Sequence, residues 1–226
     1  MRESETVFFF DVDNTLLDND VVAAELRAHI KEVLGEAAQE RYWVIFERVR
    51  HELGYADYLG ALQQFRVENI HEPQVQKISS FLLDYPFADR LFPHALDVLA
   101  KFKKWDTTVV LSDGDVVFQP RKIERSGISA AVDARVLVYI HKEHEIEDAE
   151  RRYPAKHYVM VDDKLRILSA MKGMLAERLT TVFAKQGHYA ADPELLAHYP
   201  PADVSVDRIG DLLGMDLERL LAAAGN

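Results

Sequence analysis

The chain has 226 residues, of which 48% are hydrophobic and 29% are charged, a composition typical of a globular protein with one domain or a core domain plus a small insertion. It contains no cysteine, which excludes disulfides, thiolate metal sites and cysteine nucleophiles. Its formal net charge of -11 argues against nucleic-acid binding that depends on Lys and Arg neutralising phosphates, and no apolar run reaches the ~20 residues that cross a bilayer. We therefore expect a cytoplasmic protein with neither a nucleic-acid nor a membrane partner.

A buried strand is predicted at residues 6–12, because an apolar run there ends at a polar turn. Similar apolar runs recur along the chain, with helical patterns between them. This alternation predicts an α/β fold, with a doubly wound, Rossmann-like parallel sheet covered by helices on both faces. The further strands are predicted at 107–111, 135–140, 157–161, 179–184 and 202–206, and two of the helices at 92–105 and 163–175.

Residues 18–84 differ from the rest of the chain, since they show amphipathic helical stripes and no convincing strand. Short amphipathic helices in a row pack as a small bundle. We therefore predict a helical cap domain at 18–84, inserted into a core domain formed by 1–17 and 85–226. The four stripes are Val22, Leu26, Ile30 and Val33; Tyr42, Phe46, Val49 and Leu53; Tyr58, Leu62 and Phe65; and Val75, Ile78 and Leu82. Polar cap residues that could face a crevice are Arg48, His51, Tyr55 and Tyr58.

Polar side chains follow several of the predicted strands. In doubly wound sheets the carboxyl ends of the strands line the ligand crevice. The sequence therefore brings acid, hydroxyl, amine and acid groups to one edge of the sheet. These groups are Asp-Val-Asp-Asn-Thr at 11–15, Ser112 and Asp113, Lys142, and the pair Asp162 and Asp163.

Each of these groups has a use in phosphoryl transfer. The Asp11 carboxylate can attack phosphorus and form an acyl phosphate, and Asp13 is close enough to protonate the leaving oxygen and later to activate water. Because a carboxylate and a phosphate repel each other, the reaction needs a cation. Mg²⁺ prefers oxygen ligands, which Asp162 and Asp163 can supply.

The phosphate itself needs donors that hold the transferring oxygens. The Ser112 hydroxyl and the Lys142 ammonium can act in this way, and we assign Asp113, in the same turn as Ser112, to the phosphate-binding set. His141 and His144 do not form a convincing metal pair, because no third His or Cys completes a zinc set. The run 143–152 has mixed charge and is predicted to be a solvated helix.

The motif at 11–15 resembles the first motif of the haloacid dehalogenase-like (HAD) hydrolase superfamily, Asp-x-Asp-x-Thr. The later order of Ser or Thr, Lys and paired acids is also similar, and the insertion at 18–84 resembles the helical cap of one HAD subgroup. The resemblance implies a hydrolase with an Asp nucleophile and a Mg²⁺ cofactor. By this resemblance Asp11 is the nucleophile, Asp13 the acid and base, Ser112 and Lys142 the phosphate ligands, and Asp11, the Asp13 backbone carbonyl and Asp163, with Asp162 near it, the metal ligands.

Two positions depart from the HAD pattern. The motif lysine is often followed by proline, whereas Lys142 is followed by Glu143. A further acid often follows the paired acids at the position that Ile167 occupies here. These departures leave Lys164 as an alternative active-site lysine.

Several functions are compatible with this set of residues. The leading one is a Mg²⁺-dependent phosphatase that acts on a small phosphorylated metabolite through an aspartyl phosphate. A haloacid dehalogenase, a phosphonate hydrolase or a phosphomutase would use the same nucleophile, and a catalytically silent binding protein could keep the same fold. Asp13 favours the phosphatase, because an oxygen leaving group needs a proton and a halide does not. The sequence leaves the oligomeric state open.

Overall fold

Parallel strand pairing organises the protein, as shown by a computed structural model that describes residues 4–223. The six-stranded sheet has the order β3-β2-β1-β4-β5-β6, and every neighbouring pair in it is parallel. This doubly wound order confirms the predicted Rossmann-like α/β fold. Residues 1–3 and 224–226, the ends of the predicted core domain, lie outside the described residues. The strands are β1 Ser4–Phe10, β2 Thr107–Asp113, β3 Val136–Tyr139, β4 Ala155–Asp162, β5 Leu179–Ala184 and β6 Val204–Val206.

Strand β1 lies at the centre of the sheet and is buried on both faces. On one face the rings of Phe8 and Phe10 pack edge-on against Phe102, with centroid distances of 5.0 and 5.2 Å. On the other face Phe9 stacks on Tyr158 at 5.6 Å. Burial on both faces explains why β1 is a continuous apolar run and does not alternate with polar residues.

Helices surround the sheet and also form most of the segment between β1 and β2. Among residues 4–223, no helix combines the length and the apolar character needed to cross a membrane. Short 3-10 turns occur at Phe87–Arg90, Lys142–His144, Ala176–Arg178 and Ile209–Gly214. The helices are α1 Asn19–Leu34, α2 Glu36–Leu53, α3 Tyr58–Glu68, α4 Val75–Asp84, α5 Ala95–Trp105, α6 Phe118–Arg125, α7 Ile128–Ala131, α8 Ile146–Arg152, α9 Leu165–Leu175, α10 Gly187–Ala190, α11 Pro193–His198 and α12 Leu217–Ala222.

Two helical predictions differ from the structure. Helix α5 begins at Ala95 and not at residue 92, because His94 adopts a left-handed φ of 67°. Its Leu99 and Phe102 are buried, whereas Leu96 is 36% exposed. The solvated helix predicted at 143–152 is present from Ile146 to Arg152, but it is solvated on one side only, since Ile146 and Ala149 are buried against the sheet.

Helices α1 to α4, residues 19–84, are called the helical segment below. Their buried positions follow the stripes seen in the sequence, except that Leu53 is 40% exposed and Val33 is only partly buried. The Tyr42 hydroxyl on α2 donates to the Tyr58 carbonyl on α3 at 2.9 Å. The aromatic ring of Tyr58 also meets Phe118 of α6, with centroids 5.5 Å apart, which joins the segment to the sheet-bearing part of the chain.

The chain enters and leaves the helical segment at neighbouring points. Leu17 and Leu91 form an antiparallel bridge. The Asp18 backbone N–H donates to the Arg90 carbonyl at 2.8 Å, and the Phe92 N–H donates to the Leu16 carbonyl at 2.9 Å. The two connections are therefore held together by backbone hydrogen bonds directly after the motif at 11–15.

Candidate active site

The turn after β1 places the first acidic motif at the carboxyl end of the sheet. The Asp11 backbone N–H donates to the Val161 carbonyl of β4 at 2.9 Å, which continues the parallel ladder by one residue. The chain then turns back, because the N–H groups of Leu16 and Leu17 both donate to the Val12 carbonyl at 2.9 Å. The Thr15 hydroxyl donates to Asp11 Oδ2 at 3.2 Å. This turn fixes the carboxylate of Asp11 relative to the ends of β1 and β4.

Lys142 is fully buried and lies between two carboxylates. Its ammonium is 2.5 Å from Asp11 Oδ1 and 2.6 Å from Asp162 Oδ2. Burial alone lowers the pKa of Lys142, but the charges of Asp11 and Asp162 outweigh that effect and raise the pKa above its ordinary value. Lys142 is therefore a charged lysine in direct contact with Asp11, a position that Lys164 does not share.

Asp113 holds the loop that carries this lysine. Its Oδ1 accepts a hydrogen bond from the Lys142 backbone N–H at 2.7 Å. Burial raises the pKa of Asp113, while the nearby Lys142 charge opposes that rise. The Asp113 side chain is thus used to position Lys142, and its assignment to the phosphate-binding set stays a prediction.

Ser112 lies at the end of β2 with its hydroxyl buried. Its Oγ accepts a hydrogen bond from Gln119 Nε2 of α6 at 2.9 Å. A side chain at position 114 would place its Cβ 2.6 Å from the Gln119 Cβ, so Gly114 is needed for this close approach. The structure brings Ser112 to the same edge as Asp11 and Lys142.

Three carboxylates form a cluster that fits a hard cation. One oxygen each of Asp11, Asp162 and Asp163 lie within 4.8 Å of one another, and all three residues are buried. Both oxygens of Asp163 lack a hydrogen-bond partner within residues 4–223. Burial raises the pKa of Asp163 and raises that of Asp162 to about 6. Because an unpartnered buried carboxylate is costly, this all-oxygen set suits Mg²⁺.

The Asp13 side chain is not part of that carboxylate cluster and pairs with a lysine instead. Its Oδ1 is 2.7 Å from the ammonium of Lys122, whose side chain is 1% exposed. Lys122 also donates to Asn19 Oδ1 of α1 at 2.9 Å. The expected metal contact of Asp13 is its backbone carbonyl, which stays a prediction.

Lys122 was not found by the sequence reasoning. It lies in α6 among other charged residues, a segment that the sequence analysis did not assign. The spacing held a signal, because Lys122 is four residues after Phe118 and both are buried on one helical face.

A cavity of about 740 Å³ lies between the helical segment and the carboxyl edge of the sheet. Asp163 lines this cavity, whereas Asp11 does not. One carboxylate oxygen of Asp11 nevertheless lies within 4.8 Å of a carboxylate oxygen of Asp163. Three of the four proposed crevice residues, His51, Tyr55 and Tyr58, line the cavity. Arg48 does not, since it is exposed and donates to Gln64. The lining on the sheet side includes Asp13, Asp113, Asp163 and Lys164, and that on the helical segment includes Trp43, Phe46 and Arg50.

His141 packs against the end of α2 at the mouth of this cavity. Gly54, which ends α2, has a left-handed φ of 81°. A Cβ there would overlap the His141 ring, at 2.9 Å from Nε2. His141 is therefore a contact between the helical segment and the loop of Lys142, and His144 beside it is exposed.

Gly54→Ala is expected to weaken both the fold and the site. Left-handed backbone costs an L-residue about 1–2 kcal/mol, and the new methyl group must also displace His141 next to Lys142. Gly127→Ala is the matched control, because Gly127 has a similar φ of 84° but its Cβ would meet only Leu96 Cδ1 at 3.9 Å. Chemical denaturation should show a loss of stability in both variants, larger for Gly54→Ala, and steady-state kinetics should show a fall in kcat/KM for Gly54→Ala alone. Equal kcat/KM in the two variants would count against a role for this contact.

A family profile described as haloacid dehalogenase-like hydrolase matches residues 6–174. The chain belongs to this hydrolase family. A search of curated proteins gives no match for this HAD-like hydrolase. Among solved structures, it resembles a protein from Burkholderia xenovorans LB400 described as a haloacid dehalogenase-like hydrolase, with 59% identity, a TM-score of 0.91, and 94% of this chain and 99% of that chain covered.

More distant structures share the fold of this HAD-like hydrolase. A HAD-hydrolase from Bacillus subtilis bound to magnesium is 16% identical with a TM-score of 0.61, over 94% of this chain and 98% of that one. The L-2-haloacid dehalogenase from Xanthobacter autotrophicus with chloropropionic acid covalently bound is 18% identical with a TM-score of 0.57, over 92% and 96% of the two chains. At these identities the likeness concerns the fold alone.

Proposed function

We propose that this hydrolase is a cytoplasmic, Mg²⁺-dependent phosphatase that acts on a small phosphorylated metabolite, and that residues 18–84 are its cap domain. The observation that carries the proposal is the second carboxylate, Asp13, which lines the cavity two residues after the buried Asp11. An alkoxide leaving group needs a proton from such an acid, whereas a departing halide does not. Asp13 therefore favours phosphoester cleavage over dehalogenation.

The residues supply the parts of a two-step reaction. An Asp11 carboxylate oxygen attacks phosphorus, the bond from phosphorus to the leaving oxygen breaks, and Asp13 gives its proton to that oxygen. Asp13 then takes a proton from water as the water attacks the phosphorus of the acyl phosphate, which releases phosphate and restores Asp11. Mg²⁺, when bound by Asp11, Asp162 and Asp163, would neutralise charge between phosphate and carboxylate.

The donors around Asp11 hold the transferring group during both steps. Lys142 reaches Asp11 and is rigidly buried, so its ammonium is preorganised for a phosphoryl oxygen beside that carboxylate. The Ser112 hydroxyl is oriented by Gln119 at the end of the neighbouring strand. Lys122 orients the Asp13 carboxylate through their 2.7 Å ion pair. These contacts leave Asp13 on the cavity side, where a leaving group would lie.

Metal binding at the cluster makes a prediction about stability. Asp163→Asn removes a buried, unpartnered negative charge, so the metal-free variant should unfold at the same or a higher temperature than the metal-free parent. Mg²⁺ at 100 times its Kd should stabilise the parent protein by about 2.7 kcal/mol and the variant by much less. Thermal unfolding with EDTA and with Mg²⁺ measures both effects. A lower melting temperature for the metal-free variant would instead indicate a purely structural Asp163.

Activity screening tests the proposed function directly. A panel of phosphorylated metabolites is assayed for phosphate release with Mg²⁺ and with EDTA, and 2-haloacids are assayed in parallel for halide release. We expect phosphate release that requires both Mg²⁺ and Asp11. Halide release without phosphate release would identify a dehalogenase, and release of neither would support a binding protein.

A further inference from the structure

The cationic side chains that line the cavity differ in how fully they are paired. Lys122 is held by Asp13, and Arg166 forms an ion pair with Glu143. Arg50 of α2 is paired less closely, because its ion pair with Glu47 spans 3.5 Å and the Glu47 side chain is 61% exposed. Among the described residues, this loose and solvent-exposed contact is the ion pair that Arg50 makes where it lines the cavity.

The hydrogen-bond acceptor of the Arg50 guanidinium is a neutral phenol. The Arg50 guanidinium donates to the hydroxyl of Tyr189 on α10. The Tyr189 ring centre is also 5.0 Å from the ammonium of Lys164, which lines the cavity beside Asp163. Since a charged acceptor forms a stronger hydrogen bond with a guanidinium than a phenol does, an anion could replace the hydroxyl at Arg50.

The wall next to Arg50 is aromatic and has one free donor. Trp43 lines the cavity, is 8% exposed and meets Phe46 edge-on at 4.9 Å. Its indole N–H has no hydrogen-bond partner within residues 4–223. Buried polar groups usually have a partner, so this unsatisfied donor on a residue of the cavity wall supports an oxygen-bearing ligand at the site.

We propose that Arg50 and Trp43, with Lys164 nearby, form a subsite for a second anionic group on the substrate. The inference rests on the proposed phosphatase function, which it makes more specific. The preferred substrates are phosphate monoesters whose leaving alcohol carries a carboxylate or a second phosphate. Asp13 and Arg50 line the same cavity, so one bound substrate can place its leaving oxygen at Asp13 and its second anionic group at Arg50. The cavity volume of about 740 Å³ suits a small molecule.

The sequence held a faint signal for Arg50. It follows Phe46 by four residues and Trp43 by seven, so the three share one face of α2. Arg48 lies on another face of the same helix and bonds to Gln64 on the surface, which makes it a matched control. Arg50→Gln and Arg48→Gln thus remove the same charge from the same helix, inside and outside the cavity.

Kinetics with three substrates of equal chain length test the subsite. These are 3-phosphooxypropionate, propane-1,3-diol bisphosphate and propyl phosphate. Arg50→Gln should lower kcat/KM about 10- to 100-fold for the anionic substrates, as expected for a lost hydrogen bond to a charged group, and change propyl phosphate less than about threefold. Arg48→Gln should leave all three unchanged. The two anionic substrates show whether carboxylate or phosphate is preferred, and equal effects of Arg50→Gln on all three would overturn the subsite.

Ligand binding gives a readout that does not depend on turnover. In Trp105→Phe, Trp43 is the one remaining indole of the two in the chain, so its fluorescence reports on this wall. With Mg²⁺ present, the unreactive 3-phosphonopropionate should shift the Trp43 emission at a concentration at least tenfold lower than propylphosphonate does, and Arg50→Gln should remove that preference. Equal affinity of the two ligands would refute the subsite even if phosphatase activity is present. Preferential binding without phosphate release from any substrate would refute the phosphatase and retain the anion site.

Discussion

Asp11→Asn is expected to reduce turnover on the order of 10⁶-fold, to the background rate, because an amide is a poor nucleophile toward phosphorus. The folded structure should persist. The asparagine oxygen can still accept from Lys142, which lies 2.5 Å from Asp11 Oδ1, and the amide nitrogen at the Oδ2 position can donate to the Thr15 hydroxyl, which lies 3.2 Å away. Lys142 also keeps its ion pair with Asp162. The measurement is phosphate release at saturating substrate and Mg²⁺.

The control for this variant is its unfolding curve. Loss of one of three clustered carboxylates lowers their mutual repulsion and offsets the weakened contact with Lys142, so the metal-free variant should be close to the parent in stability. Loss of activity at unchanged stability then reports on chemistry. Residual activity near that of the parent, or a phosphoryl group found on Ser112 of the parent enzyme, would contradict a nucleophilic Asp11.

Asp13→Asn is expected to separate the two half-reactions. General acid–base catalysis contributes about 10²–10⁴-fold, so alkyl phosphates, which need protonation of the leaving oxygen, should lose that much activity. Aryl phosphates have a better leaving group and should lose less in the first step. Hydrolysis of the acyl phosphate still needs Asp13 as base, so the phosphoenzyme should accumulate. The asparagine can still accept a hydrogen bond from Lys122, which protects the fold.

Mass spectrometry of Asp13→Asn, mixed with an aryl phosphate and Mg²⁺, decides this scheme. A phosphoryl adduct that maps to Asp11 is the expected product. Asp18→Asn serves as a control, because Asp18 caps α1 through the Val21 N–H and takes no part in the proposed chemistry. An Asp13→Asn enzyme that hydrolyses alkyl phosphates at the parent rate would show that another group acts as acid.

The order of strands and helices could be predicted because each element has a local sequence pattern. Phe8, Phe9 and Phe10 form a run that only a doubly covered strand can bury, and the stripes of the helical segment lie at helical spacing. The errors arose where tertiary contacts overrule local pattern. At His94 a left-handed residue delays α5, and in α8 the buried Ile146 sits among charges that suggested a solvated surface.

The residues of the candidate site fall into two groups by the same reasoning. Acids that directly follow strands could be found, because the carboxyl edge of a parallel sheet gathers them. Lys122 and Arg50 come from helices, and their positions depend on how those helices pack against the sheet. A charged residue in a charged run gives little indication of which way it points. Only its spacing from buried aromatic residues distinguishes it.

The two connections to the helical segment, which are bridged at Leu17 and Leu91, have a consequence for how such a protein can evolve. Since the chain leaves and rejoins the sheet-bearing part at adjacent, hydrogen-bonded points, the whole helical excursion is topologically equivalent to a hairpin loop. Long excursions between neighbouring anchor points cost little extra closure entropy. Helices can therefore be lengthened, exchanged or recruited there while the acids at the sheet edge stay in register, and one reaction can be inherited by enzymes with new specificities.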